Sequence, residues 1–179
     1  MISVQPAQPD QWMTYRDVRL RALRDAPDAF GSTYAAEAQR TDAMWADRIA
    51  AATSSGKDRV LLAFDRQDAC GLVWCKLSPD EPAVVDLFQM WVDPASRGAG
   101  VGRALLEEAI AWAERVGANR VRLGVTAAET PAMRLYLACG FRPVGVLEPL
   151  REDSSLMVQP MSLALGQRRI LAFHPGQKP

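Results

Sequence analysis

The chain has 179 residues, of which 49% are hydrophobic and 23% are charged, a composition typical of one globular domain with a sizeable core. Its 21 basic and 21 acidic residues cancel, which argues against a protein that binds nucleic acid or an anionic membrane surface. We expect a cytoplasmic protein, because no apolar run approaches the roughly 20 residues of a membrane span and the N-terminus lacks the pattern of a signal peptide.

The first half of the chain predicts two amphipathic helices, preceded by a short strand and followed by a hairpin. A side-chain oxygen can cap the start of each helix, from Asp10 in the first and from Thr41 in the second. The strand at the N-terminus is short and alternating, which is typical of a sheet edge. The predicted elements are a strand over 2–4, a helix over about 10–25, a helix between Thr41 and Gly56, and strands over 60–64 and 71–77.

The second half alternates strands and helices. The predicted elements are strands over 84–92, 121–125, 144–146 and 156–163, and helices over 103–116 and 130–138. The segment 84–92 is almost continuously apolar, as expected of a central strand covered on both faces, whereas Pro160 suggests an edge or a bulge in the last strand. The alternation predicts one α/β domain over residues 1–165 with a mixed sheet. The basic tail, 166–179, is either a disordered end or a packing arm in a homodimer.

Three glycines lie between the strand 84–92 and the helix that follows it, in the order Arg97-Gly98-Ala99-Gly100-Val101-Gly102-Arg103. Glycines at such a junction let several backbone N–H groups point at one ligand, and the helix dipole adds positive charge there. This favours a site for a pyrophosphate, against the simpler interpretation of a tight turn before a helix. Arg103 stands where a dinucleotide fingerprint and a nucleotide P-loop both need glycine, which excludes these two motifs.

Three ordered segments carry a resemblance to a known family. The glycine loop, defined as residues 97–103, fits [Q/R]-x-x-G-x-[G/A], the stretch 88–94 resembles a strand that runs into a cofactor loop, and 135–141 fits L-Y-x-x-x-G-F. Over about residues 2–163 the chain resembles the GNAT superfamily of acyl-CoA-dependent N-acyltransferases. The resemblance implies about seven strands and four helices, with the two central strands splayed apart. It also implies acetyl-CoA as the co-substrate, bound between those strands.

The same resemblance assigns the contacts of the coenzyme. Main-chain groups of the strand end would bind pantetheine as an added strand does, and a bulge there would offer an N–H to the oxyanion. The family often has asparagine where this chain has Glu129, so one coenzyme contact differs. The implied cofactor-binding residues are Met90, Trp91, Val92, Arg97, Gly98, Ala99, Gly100, Val101, Gly102 and Arg103.

Acyl transfer to an amine needs a base and an acid. A lysine-like amine has a pKa near 10.4, so its deprotonation at pH 7 costs about 4–5 kcal/mol. Asp86 is the candidate base because it interrupts an apolar strand and lies eleven residues before Arg97, where the histone-acetylating branch has glutamate. The alternative is a structural pair with an arginine such as Arg122. Tyr136 is the candidate acid for the departing thiolate, since it matches the family's tyrosine; the alternative is a core aromatic.

The remaining residue types argue against a metal site but do not identify the acceptor. The chain has no C-x-x-C pair and a single histidine, His174, so we expect no metal. Phe30, Tyr34 and Trp45 either line an acceptor pocket or belong to the core. The acceptor is a small-molecule amine or a protein amino group. The alternative function is a non-catalytic acyl-CoA-binding or regulatory domain on the same fold.

Overall fold

The computed structural model describes residues 1–166, which form one α/β domain. The predicted tail, apart from Gly166, and His174 lie outside the described residues, so the homodimer arm stays a prediction. The strands of this part of the chain are β1 (Ile2–Pro6), β2 (Asp58–Asp65), β3 (Asp68–Leu77), β4 (Val84–Val92), β5 (Arg120–Thr126), β6 (Arg142–Pro143), β7 (Glu148–Pro149) and β8 (Met157–Ala164). The α-helices are α1 (Trp12–Asp25), α2 (Tyr34–Glu37), α3 (Asp42–Ser54), α4 (Val101–Arg115) and α5 (Pro131–Ala138).

The eight strands form a single mixed sheet in the order β1-β2-β3-β4-β5-β8-β6, and β7 pairs with the same edge of β8 as β6 does. Among the described strands, β4 and β5 are parallel and the other neighbours are antiparallel. The edge position of β1 is confirmed. The edge position suggested by Pro160 is wrong, because β8 lies between β5 and the short strands. Pro160 is tolerated because it falls between the stretches of β8 that pair with β6 and β7, where neither strand needs its missing N–H, and its carbonyl accepts from the Val144 N–H at 2.9 Å.

Helices cover both faces of the sheet, so the sheet separates two apolar cores. The α4/α5 face contains Leu105 and Leu106 of α4 and Phe141, all fully buried. The α1/α3 face contains Tyr15 and Trp45, whose rings meet edge to face with centroids 5.8 Å apart. Burial on both sides explains why the central strands read as continuous apolar runs.

Most predicted elements agree with the structure, but the cap of the first helix and the strand at 144–146 are wrong. The first helix begins at Trp12 because Pro9–Gln11 forms a 3₁₀ turn, so Asp10 does not cap it. Residues 144–146 form no strand; they are exposed, and Gly145 has a φ of 63°. The cap at Thr41 is confirmed, since its hydroxyl accepts a hydrogen bond from the Met44 N–H at 3.3 Å.

The central strands diverge, as the resemblance implied. β4 and β5 pair over only four residues, from Val84 with Arg120 to Leu87 with Leu123. Beyond Leu87, β4 continues to Val92 on its other neighbour, with a bulge that places Gln89 at a φ of 59°. The divergence opens a gap between the carboxyl ends of two parallel strands. Among the described helices, none is both long and apolar enough to cross a membrane.

Candidate active site

A cavity of about 1890 Å³ passes through the gap between β4 and β5. Its walls come from both faces of the sheet, with Leu135 of α5 on one side and Trp74 of β3 on the other. Of the residues that the sequence assigned to coenzyme binding and catalysis, all line this cavity except Ala99, which lies between two lining glycines. The fold thus brings together segments that are up to fifty residues apart in the chain.

The glycine loop needs glycine for two different reasons. Gly98 and Gly100 have φ values of 79° and 82°, which side chains rarely adopt, and the space where a Cβ would stand is empty at both. Gly102 has an ordinary φ, but a Cβ there would lie 3.1 Å from Leu135 of α5. The first two glycines therefore shape the loop, and the third lets α5 approach it.

Helix α4 begins at this loop without a cap from any described side chain. Its first intrahelical bond runs from the Ala104 N–H to the Gly100 carbonyl, 3.0 Å. The N–H groups of the first turn before Ala104 have no partner within the helix, and this fifteen-residue helix adds its dipole to them. Together with the empty space beside the loop glycines, they form a site that fits a diphosphate.

The two arginines of the loop behave differently. The Arg97 side chain is held by the protein, since its guanidinium pairs with Asp25 and its Nε donates to the Val92 carbonyl at 3.0 Å. Arg97 therefore ties the loop to the ends of β4 and α1. Arg103 is half exposed and has one weak ion pair, to Glu107 at 3.8 Å, so its charge is available to a phosphate group.

A residue of helix α1 holds the bulge of β4 in place. The buried hydroxyl of Tyr15, on α1, donates to the Gln89 side-chain oxygen at 2.8 Å. Trp91 is fixed on the same α1/α3 face, where its Nε1 donates to Asp25 at 2.9 Å. Met90 and Val92 point to the α4/α5 face. Over residues 90–92, β4 therefore has no partner among the described strands on the side of β5, and its backbone groups there are open to a ligand.

Asp86 lies beside a cation. Its two oxygens accept from Nε and Nη2 of Arg122 on β5, at 2.8 and 3.1 Å, and Arg122 also contacts Glu81. This bidentate pair joins β4 and β5 in the last stretch before they separate. The structural pairing given as the alternative is therefore present. The role of Asp86 as a base stays a prediction.

Tyr136 lies on α5, which begins after Thr130 caps it through the Met133 N–H at 3.1 Å. Its ring is 5% exposed and tilts against Phe141 with a centroid distance of 6.0 Å. Burial raises the pKa of the Tyr136 hydroxyl well above its ordinary value, so the group keeps its proton at neutral pH. The phenol borders the cavity and can donate a hydrogen bond there, and its raised pKa makes it a weaker acid than an exposed tyrosine.

The α1/α3 side of the cavity combines predicted and unpredicted residues. Phe30 lines it, whereas Trp45 belongs to the core, 1% exposed. Sequence reasoning did not single out three arginines there, Arg19, Arg40 and Arg48. They lie on or between helices of ordinary composition, and no local motif distinguishes them from solvated arginines.

Residues 19–141 match the Acetyltransferase (GNAT) family. The chain belongs to this family. The resemblance predicted from the three segments is therefore confirmed, together with a single α/β domain that has a mixed sheet. The structure has eight strands and five α-helices, where about seven strands and four helices were expected.

Curated relatives and solved structures agree with the family. The chain is 31% identical to a mycothiol acetyltransferase from Salinispora arenicola over 74% of this chain and 40% of that protein. It is 29% identical to the Pseudarthrobacter chlorophenolicus enzyme of that name over 78% and 42%. The chain thus spans less than half the length of these relatives.

Similar folds occur in two solved structures. The GNAT-family acetyltransferase from Streptococcus pneumoniae has a TM-score of 0.79 at 23% identity, with coverage of 93% of this chain and all of that one. The Salmonella typhimurium protein yncA, solved with its cofactor acetyl-CoA, has a TM-score of 0.76 at 19% identity, with coverage of 94% and 96%. At these identities the likeness concerns the fold.

Proposed function

We propose that the protein is an acetyl-CoA-dependent N-acetyltransferase that moves the acetyl group directly to a primary amine. The observation that carries this proposal is the uncapped start of α4, which opens onto the gap between β4 and β5. Helix N–H groups there are suited to the coenzyme diphosphate. Backbone groups over 90–92 are suited to the pantetheine arm, and the acyl group would then lie beside Tyr136.

The coenzyme supplies an activated thioester; the chain supplies proton transfer and orientation. Tyr136 donates a hydrogen bond to the sulfur and gives up its proton as the thiolate leaves. Because burial raises the pKa of its hydroxyl, the proton moves only as negative charge develops on the sulfur. A backbone N–H at the bulge after Gln89 stabilises the oxyanion. Tyr15 keeps that bulge in place through its hydrogen bond to Gln89.

Asp86 is proposed as the base that accepts the amine proton, directly or through a water molecule. A carboxylate has about four lone pairs, and Arg122 engages one on each oxygen. Each oxygen can therefore accept a further hydrogen bond from an amine or a water. Arg122 on β5 is paired in register with Asp86 and orients this carboxylate toward the cavity.

A non-catalytic acyl-CoA-binding domain is the second candidate, and the Asp86–Arg122 pair is the observation that favours it. A carboxylate that merely joins two strands would leave the amine without a base. Release of free thiol from acetyl-CoA, measured against a panel of amines, separates the two functions. Amine-dependent thiol release supports the enzyme, and calorimetric binding of acetyl-CoA without any turnover supports the binding domain.

The cellular compartment and the class of acceptor are also proposals. The three cysteines, Cys70, Cys75 and Cys139, are free, which suits a reducing compartment, and we propose the cytoplasm. The acceptor is a small-molecule amine or a protein amino group. Since the chain spans less than half of the mycothiol acetyltransferases, its acceptor is better argued from the chemistry of its own cavity.

A further inference from the structure

The α1/α3 side of the cavity contains three arginines with unused donors. Arg19, Arg40 and Arg48 all line it, and each has a buried N–H without a hydrogen-bond partner among residues 1–166. Arg19 is itself only 2% exposed. A buried donor without a partner is costly and rare in folded proteins, so three around one space indicate an anion-binding site.

The charges around these arginines do not balance. Glu37 pairs with Arg19 through two bonds of 2.7 and 3.2 Å, and it is the acid that neutralises one of the three cations. Aromatic rings, rather than acids, hold the other two. The guanidinium of Arg48 lies 4.8 Å from the centroid of Trp74, and that of Arg40 lies 5.8 Å from Trp45.

Other charges nearby do not remove this excess. Asp58 and Lys76 lie opposite each other in register on β2 and β3, so their charges offset one another. Asp58 also accepts the Trp74 Nε1–H at 2.7 Å, which fixes the ring under Arg48. The sheet thus positions Arg48 through its aromatic partner and leaves its charge for a ligand.

The arginine cluster adjoins the place where the acyl group would lie. The Trp74 ring that lies under Arg48 also meets the Tyr15 ring edge to face, with centroids 5.7 Å apart, so Arg48 and Tyr15 share one aromatic neighbour. The Tyr15 hydroxyl bonds to Gln89 in the β4 bulge. Trp74, beneath Arg48, is paired in register with Phe88, the residue before Gln89. An acceptor held by Arg48 therefore lies next to the bulge.

We propose that the acceptor amine carries a carboxylate, and that Arg48, with Arg19 and Arg40, binds this carboxylate on the α1/α3 side of the cavity. The inference rests on the proposed function and specifies its substrate class: amino acids or similar molecules with a free acid group. Guanidinium N–H groups bind carboxylates through charge-assisted hydrogen bonds. An amine without an acid would leave these buried donors without a partner.

The test compares amino acids with their amides and with the corresponding decarboxylated amines, using thiol release from acetyl-CoA. We expect kcat/KM to be at least about ten-fold higher for the best acid than for its amide, as for one lost charge-assisted bond. Equal or faster turnover of the amides overturns the proposal while the acetyltransferase activity stands. A preference for aminoalkylphosphonates over the matched acids overturns the choice of carboxylate.

Substitutions of single arginines test which residue binds the carboxylate. Arg48→Gln is expected to raise KM for the acid at least about ten-fold and to bring the acid-to-amide ratio near one, with partial recovery in Arg48→Lys. Arg59→Gln is the matched control, because Arg59 also has a buried Nε without a described partner but lies over Trp112 of α4, away from the cavity. An unchanged ratio in Arg48→Gln, with its melting temperature preserved, contradicts the assignment.

A readout without turnover separates this inference from the proposed function. If no amine releases thiol, calorimetry with N-acetyl amino acids and their amides in the presence of coenzyme A decides the matter. Preferential binding of the acids, lost in Arg48→Gln, supports the carboxylate site even though the enzyme proposal has failed. Equal binding of the acids and amides, or no binding of either, overturns the carboxylate site.

Discussion

Replacing Gly100 by aspartate is expected to weaken coenzyme binding while the stability of the protein changes little. Gly100 is the N-cap of α4, with a φ of 82° and open space where a Cβ would stand. Aspartate tolerates the left-handed region better than most residues, and the helix dipole favours its negative charge, which offsets part of the backbone strain. The same carboxylate would face the coenzyme diphosphate across the open space.

The expected magnitudes follow from this placement. Two unit charges about 5 Å apart repel by about 1–3 kcal/mol at effective dielectric constants of 80 to 20, which is a loss of about 5- to 150-fold in affinity. The left-handed strain costs about 1–2 kcal/mol, and the dipole returns about 0.3–1 kcal/mol. We therefore expect weak coenzyme binding in a protein whose stability is within about 1 kcal/mol of the wild type.

Gly117 provides the control at the opposite end of the same helix. It has a φ of 81° and open space around it, but the residue follows the C-terminus of α4. Gly117→Asp adds the same strain and an unfavourable dipole interaction, about 1–2 kcal/mol in total, with a Tm fall of about 2–8 °C and unchanged affinity. Calorimetric titration of coenzyme A and thermal unfolding measure both quantities. Affinity within two-fold of wild type in Gly100→Asp would refute the assignment of the loop.

Three further substitutions test the chemistry. Tyr136→Phe should lower kcat at least about ten-fold while coenzyme affinity stays within a few fold of the wild type. Because the pKa of Tyr136 is raised, the wild-type kcat should keep the contribution of this hydroxyl up to about pH 10. Stopped-flow thiol release checks both expectations, and an unchanged kcat in the variant removes Tyr136 from the mechanism. Asp86→Asn should lower kcat more than Arg122→Gln does, whereas equal Tm losses at wild-type kcat would mark the pair as structural. Tyr15→Phe should destabilise the protein by about 1 kcal/mol in calorimetry, because the partly buried hydrogen bond to Gln89 is lost. A Tm shift under 1 °C contradicts this.

The sequence predicts the central part of the fold well because that part is governed by local signals. The apolar run predicts β4 with both ends correct, and Thr41 and Thr130 cap the helices that follow them. These features depend on burial on both faces or on one side-chain oxygen near the start of a helix. Neither requires knowledge of the rest of the chain.

The predictions fail where a distant segment decides the structure. Residues 144–146 have the composition of a strand, but β8 takes its partners from 142–143 and 148–149, which leaves the intervening loop exposed. Pro160 suggests a sheet edge, yet it lies in an interior strand because its neighbours leave a gap beside it. Pairing between segments sets both outcomes, and no periodicity within either segment reveals it.

The two halves of the cavity also differ in how far the sequence reveals them, and the reason is chemical. The side proposed to bind the coenzyme consists largely of main chain, so its requirements fall on conformation and close approach, which leave glycines in a short continuous stretch. The acceptor side consists of side chains from α1, α3 and the connection before α3, whose spacing in sequence carries no fixed pattern. Substitutions in the second set can therefore change the lining of the cavity without disturbing the glycine loop. The charge balance of the buried arginines is therefore the better guide to the acceptor than any motif in the chain.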